Sequence, residues 1–149
     1  MKLLKGIWIG FWSGMLLGIL LKWIEYMTGE RVYTLLLNVD FIPFIGAVDW
    51  SEPVAFAFHL IISLAIGIAY VYIAKRRNYA FGHLVLLSLG FCFPLFLLYF
   101  PLSALAIRDD IPQMTNVSAY LYWVFAHLTF ALALPVLYKT FERKNAASQ

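Results

Sequence analysis

The stretch 53-PVAFAFHLIISLAIGIAYVYIA-74, closed at once by Lys75-Arg76-Arg77, decides the class of this protein. Among its 22 residues only His59 titrates near neutrality. A helix of that length crosses a hydrocarbon layer of about 30 Å. A lone apolar run in lipid has to satisfy its backbone within itself, which a helix does and an isolated strand does not. Three further runs on either side have the same character, at about 3–27, 81–105 and 117–138. The pattern predicts an all-α, polytopic membrane protein of 149 residues: a single domain, a four-transmembrane-helix bundle with a long outer loop between helices 1 and 2. With 63% hydrophobic and 13% charged residues, the chain lies outside the balance of a soluble globular domain. Lys2 and Lys5 precede the first run as they would in a signal peptide. The run is too long for that, and no small-residue cleavage site follows it.

Charge orients the spans. Placing both termini in the cytoplasm puts Lys2, Lys5, Lys75, Arg76, Arg77, Lys139, Arg143 and Lys144 inside, eight of eleven basic residues. That is the bias expected of cytoplasmic loops. Only Lys22, Arg31 and Arg108 are left for the outer half, with seven of the eight carboxylates; Glu142 alone stays inside. The basic clusters therefore belong to the membrane topology, and no nucleic-acid surface is expected.

The connections differ in length. Lys75 to Tyr79 makes a tight inner hairpin, which predicts that the second and third spans are antiparallel neighbours. Arg108 to Asn116 is a short outer loop with Thr115 and Asn116 before the last helix as caps. Thr28 to Glu52 is long, apolar and broken by Asn38, Asp40, Pro43 and Asp49. It reads either as an interfacial helix over Arg31–Asn38 followed by a loop, or as a lid over the outer mouths of the helices.

Small residues recur along two spans. Gly6, Gly10, Gly14 and Gly18 follow one face of the first helix, and Ala55, His59, Ser63 and Gly67 repeat the spacing in the second. Such faces let backbones approach closely, either within the bundle or against a second copy or another membrane protein. Lys22 continues the glycine series and Glu25 follows three positions later, within reach for an ion pair. Lys22 and His59 each lie six residues below the outer end of their helix, about 9 Å. His127 falls in the outer half or near the midplane. Charged and titratable groups at such depth are costly, so Lys22, Glu25, His59 and His127 are the candidate ligand- or proton-binding residues. The competing reading keeps Lys22 snorkelled to the headgroups and makes each histidine an interhelical tie. His83 belongs to the inner interface. Pro94 and Pro135 predict bends where the carbonyls of Gly90 and Ala131 lose their partners. Trp8, Trp12, Trp23, Trp50 and Trp123 suit the interfaces.

Several chemistries lack their residues. There is no GxSxG, HExxH, glycine-rich phosphate loop or paired-cysteine motif, and Cys92 stands alone. No metal or cofactor is expected; a haem or quinone between His59 and His127 lacks further ligand context. Asn116-Val117-Ser118 fits a glycosylation sequon, but the residues also read as a helix cap.

The order of features resembles the YagU family of bacterial inner-membrane proteins, whose molecular function is undefined. The resemblance rests on Gly18-Ile-Leu-Leu-Lys22-Trp23, on His59-Leu-Ile-Ile-Ser63-Leu-Ala-Ile-Gly67-Ile-Ala-Tyr70, on Phe-Pro-Leu text late in the third span, and on Asn116-Val117-Ser118 and Ala126-His127-Leu128 in the fourth. It runs from the first helix to Lys144. The interval from Asn116 to His127 is about one helical turn longer than in that family. The resemblance implies a bacterial cytoplasmic membrane and marks Lys22, His59 and His127 for testing; it supplies no reaction. Two functions follow as expectations. One is a non-enzymatic membrane protein with an outward-facing polar pocket for a proton-linked, small polar or lipid ligand. The other is an assembly subunit packed through the glycine stripe.

Overall fold

The computed structural model describes residues 2–77 and 79–147. Met1, Asn78, Ser148 and Gln149 lie outside the described residues, as do the side chains of 143–147, which include Arg143 and Lys144 of the inner charge count. The elements are α1 (Lys2–Thr28), α2 (Val32–Leu37), α3 (Glu52–Arg77), α4 (Phe81–Leu97), α5 (Tyr99–Leu105) and α6 (Val117–Ala147). Four stretches are long and apolar enough to cross a membrane: Lys2–Thr28, Glu52–Arg77, Phe81–Leu105 and Val117–Glu142. No strand occurs among the described residues.

The start of α1, the last turns of α6 and the facing ends of α3 and α4 sit at one end of the bundle, the proximal end; α2 and the α5–α6 loop sit at the other, the distal end. α1 is the central element and packs on both α3 and α6, while α4 packs on α6. The glycine stripe makes the α1–α3 contact possible. A methyl group on Gly6 would stand 2.6 Å from the Ile68 Cα, one on Gly10 2.8 Å from the Leu64 Cα, and one on Gly14 2.7 Å from the Ser63 Cβ. Gly67 answers from α3, where a methyl would meet the Gly6 carbonyl and the Gly10 nitrogen at 2.5 Å. At Gly6, Gly10 and Gly67 backbone fits against backbone, while Gly14 makes room for the Ser63 side chain and Gly18 for the Phe56 ring. The stripe is therefore filled from within the chain, and a second protein could use it only by displacing α3.

α3 and α4 are antiparallel as expected, but they are neighbours mainly through their hairpin, where the buried Tyr70 hydroxyl donates to the Leu84 carbonyl at 3.0 Å. α3 gives its small-residue face to α1 instead, because that is where backbones approach. The third span is interrupted at Leu98, between α4 and α5, and not at Pro94, which lies inside α4. Pro101 accounts for the position: it has no N–H for the Leu97 carbonyl. α6 runs through Pro135 without a break in the helix.

The tryptophans divide by environment. Trp8 and Trp12 stack at 6.4 Å on the exposed face of α1. Trp123 is in the core, where its indole N–H donates to the Leu95 carbonyl at 2.9 Å. The polar end of an indole needs such a partner once buried.

Local chemistry sets the ends of the elements. Gly29 adopts a left-handed φ of 77° and its N–H reaches the Glu25 carbonyl at 2.9 Å, which stops α1. Asn116 caps α6, its side-chain oxygen accepting from the Ala119 N–H at 3.1 Å. At the proximal end Lys5 pairs with Glu142 at 2.9 Å. His83 is exposed there and stacks on Tyr79 at 5.6 Å.

Candidate functional site

The distal end carries a cleft of about 910 Å³ between α1, α2, the segment that joins α2 to α3, and the α5–α6 loop. α2 floors it. The sequence allowed an interfacial helix here, but Val32 and Leu35 are fully buried and Tyr33 nearly so, because α2 packs on α1, α3 and α6. The helix expected over Arg31–Asn38 is thus present as Val32–Leu37, with Thr34, Leu36 and Leu37 keeping part of their surface open.

Glu25 fixes α2 in place. Its carboxylate accepts the backbone N–H of Thr34 at 2.8 Å and the Thr34 hydroxyl at 2.7 Å, in the first turn of that helix. Bonds to an ionised acceptor are the stronger kind, and a helix start presents free N–H groups. Glu25 is also 3.7 Å from the Arg31 Nε. With its oxygens so occupied, Glu25 does not pair with Lys22. The lysine reaches up instead to Glu52, the first residue of α3, and lies 5.5 Å from the centre of the Tyr33 ring. The Tyr33 hydroxyl donates to the same Glu52 oxygen at 3.0 Å. Burial first, and then that bond to a carboxylate, hold the Tyr33 phenol above its usual range.

A second polar set closes the far side. Arg31 contacts Asp110 at 2.6 Å, and Arg108 grips the same carboxylate with two bonds of 2.9 and 3.0 Å. The Arg108 fork, and after it Arg31, hold the Asp110 carboxyl down at about 2. Asp40 accepts the backbone N–H groups of Ile107 and Arg108, both at 2.9 Å, and so ties the α2–α3 segment to the α5–α6 loop. Glu30 accepts from Asn116 at 2.8 Å and Ser118 at 2.6 Å, which ties the end of α1 to the start of α6.

Of the four residues expected to share a pocket, Lys22 and Glu25 line this cleft and the two histidines do not. His127 is 3% exposed, inside the bundle, with its Nδ1–H donating to the Trp123 carbonyl at 2.8 Å and its ring 4.3 Å from the Trp123 ring. A carbonyl only accepts, which assigns the proton to Nδ1. His59 is half-buried, shares a 3.3 Å hydrogen bond with Ser63 one turn on, and faces the Gly14 backbone of α1. Matching depth in the sequence did not bring the histidines to the cleft, since depth says nothing about the direction in which a side chain leaves its helix. Among the described residues no group of three His, Cys, Asp or Glu side chains could hold a metal ion.

Arg31, Tyr33, Thr34, Asp40, Glu52 and Arg108 belong to the cleft and were not singled out from sequence. One signal was available: Lys22, Arg31 and Arg108 are the three bases that the charge partition left at this end, and all three line the cleft. Each of these cations holds a carboxylate.

No protein-family model, curated protein or solved structure matches this chain.

Proposed function

We propose that the chain is a small, non-enzymatic membrane protein of a bacterial cytoplasmic membrane, with both termini in the cytoplasm and the distal cleft open to the outside, where it binds a small polar or lipid ligand. The convergence of Lys22, Arg31 and Arg108 on one cleft carries the reading. A cleft of about 910 Å³ is within the range of small-molecule sites, about 300–1,000 Å³, and combines fixed charges with aromatic rings. The positive-inside bias supports the orientation, and the resemblance to the YagU family, itself carried forward as a proposal, supports the location. Assembly through the glycine stripe is the weaker reading because α3 already fills that face.

Filling the cleft tests the function. Ala47 is exposed on its wall, so Ala47→Trp takes up space without entering the core. Molecules that copurify with the protein in mild detergent are identified by mass spectrometry. A species held by the parent and lost from Ala47→Trp is expected, and identical profiles sink the binding role. Orientation is tested with single cysteines at Asp109 and Arg76 in a Cys92→Ser background. An impermeant thiol reagent on intact cells should label the first and spare the second; the reverse pattern inverts the protein.

A further inference from the structure

On the premise that the cleft is a binding site, we infer that its ligand is a zwitterion with a primary ammonium and an oxyanion, the chemistry of an aminophospholipid headgroup. The lining carries both signs. Lys22, Arg31 and Arg108 stand among Glu25, Asp40, Asp49 and Glu52. Each of the cations already holds a carboxylate: Lys22 on Glu52, and Arg31 and Arg108 on Asp110. A simple anion would enter among four carboxylates, and a simple cation would leave the spare N–H groups of Lys22 and Arg31 without an acceptor. A zwitterion exchanges partners with both sides of an existing pair and leaves no charge uncompensated.

Donors and acceptors for that exchange are present. An ammonium has three N–H groups and a guanidinium five, more than the pairs of Lys22 and Arg31 use. Asp49 accepts no hydrogen bond among the described residues and stands next to Trp50, which lines the same cleft with Tyr26 and Tyr33. A carboxylate beside aromatic faces suits an ammonium group.

The exposed apolar surface at this end points to a ligand that arrives in the bilayer. Tyr26, which lines the cleft, is 85% exposed; Trp23 and Met27, its neighbours along α1, are 59% and 62% exposed, and Phe44, in the segment that joins α2 to α3, is 92% exposed. Phe44 is held at a φ of 67°, a region bulky residues rarely enter, so its outward display is imposed by the surrounding chain. Apolar surface at the same end as the cleft gains nothing from a solute in water but covers acyl chains attached to a headgroup.

Native mass spectrometry of the full-length protein in detergent tests this, with dioleoylphosphatidylethanolamine, dioleoylphosphatidylglycerol and free phosphoethanolamine as probes. The ethanolamine lipid should be held about tenfold more tightly than the glycerol lipid. Asp49→Asn and Lys22→Gln should each abolish that preference, while Asp109→Asn, outside the cleft, keeps it. Displacement of the lipid by equimolar phosphoethanolamine retains the zwitterion and assigns its source to water; no displacement assigns it to the membrane. Equal or stronger binding of the glycerol lipid, lost in Ala47→Trp, overturns the zwitterion and leaves the cleft as a site. Absence of binding by all three probes, or binding that Ala47→Trp does not change, overturns both readings.

Discussion

The Lys5 ammonium lies 2.9 Å from a carboxylate oxygen of Glu142 and joins the first turns of α1 to the last turns of α6. Tyr138 covers it, with the ring centre 3.9 Å away. Among the described residues Glu142 is the only acidic side chain at the proximal end, and the Lys5 side chain is 9% exposed. The contact closes the bundle opposite the cleft and accounts for a lone acid among basic residues.

Removing one partner strands a charge in a water-poor place. Lys5→Met or Glu142→Gln should each lower unfolding stability in detergent by about 1–3 kcal/mol, less than for a fully buried pair because Glu142 is partly exposed. The Lys5→Met/Glu142→Met double variant should recover most of that loss. A double-mutant cycle measures the coupling, and strict additivity would show that the pair does not act as one.

The glycines separate into two kinds. Gly10→Ile should break the α1–α3 contact and cost several kcal/mol, on the order of an overpacked core site or more, because the atoms it meets belong to the α3 backbone and cannot turn aside. Gly90→Ala meets nothing within 4 Å and should be neutral or stabilising by about 0.5–1 kcal/mol through helix propensity. Thermal unfolding of the two variants side by side checks the contrast.

Acid should loosen the distal end through Asp110. The fold lowers its carboxyl from an ordinary 3.8 to about 2, so its contribution is complete above pH 3.8 and lost as pH falls through 2. Because the side chain is 37% exposed, solvent screening limits that contribution to about 0.2–1 kcal/mol. Asp110→Asn should therefore be less stable than the parent at pH 7 and equal to it below pH 2. An undiminished difference in acid would assign the effect to something other than the ion pairs.

His127 supports the bundle and does not touch the cleft. His127→Ala should cost about 1–3 kcal/mol of stability, for the cavity and the lost bond to Trp123, yet retain any cleft ligand within about twofold. Loss of ligand from a folded His127→Ala protein would return the histidine to the site.

Much of this protein was determined by its sequence alone. Four helical spans, their boundaries to within a few residues and the grouping of basic residues at one end follow from run length, hydropathy and the need of each backbone to satisfy itself locally. The Asn116 cap was legible for the same reason, since its partner lies three residues away. Tertiary structure decided the rest. Lys22 and Glu25 are near in sequence, but α2 supplies N–H donors that take Glu25 while α3 brings Glu52 to Lys22. Counting along the helices put His59 level with Lys22 and His127 in the outer half or near the midplane, yet neither lines the cleft, because rotation about a helix axis is fixed only once Gly6, Gly10 and Gly14 seat against α3. Hydropathy gives position along the membrane normal; which side chains meet within that layer depends on helix rotation and long-range pairing, which one-dimensional periodicity does not contain.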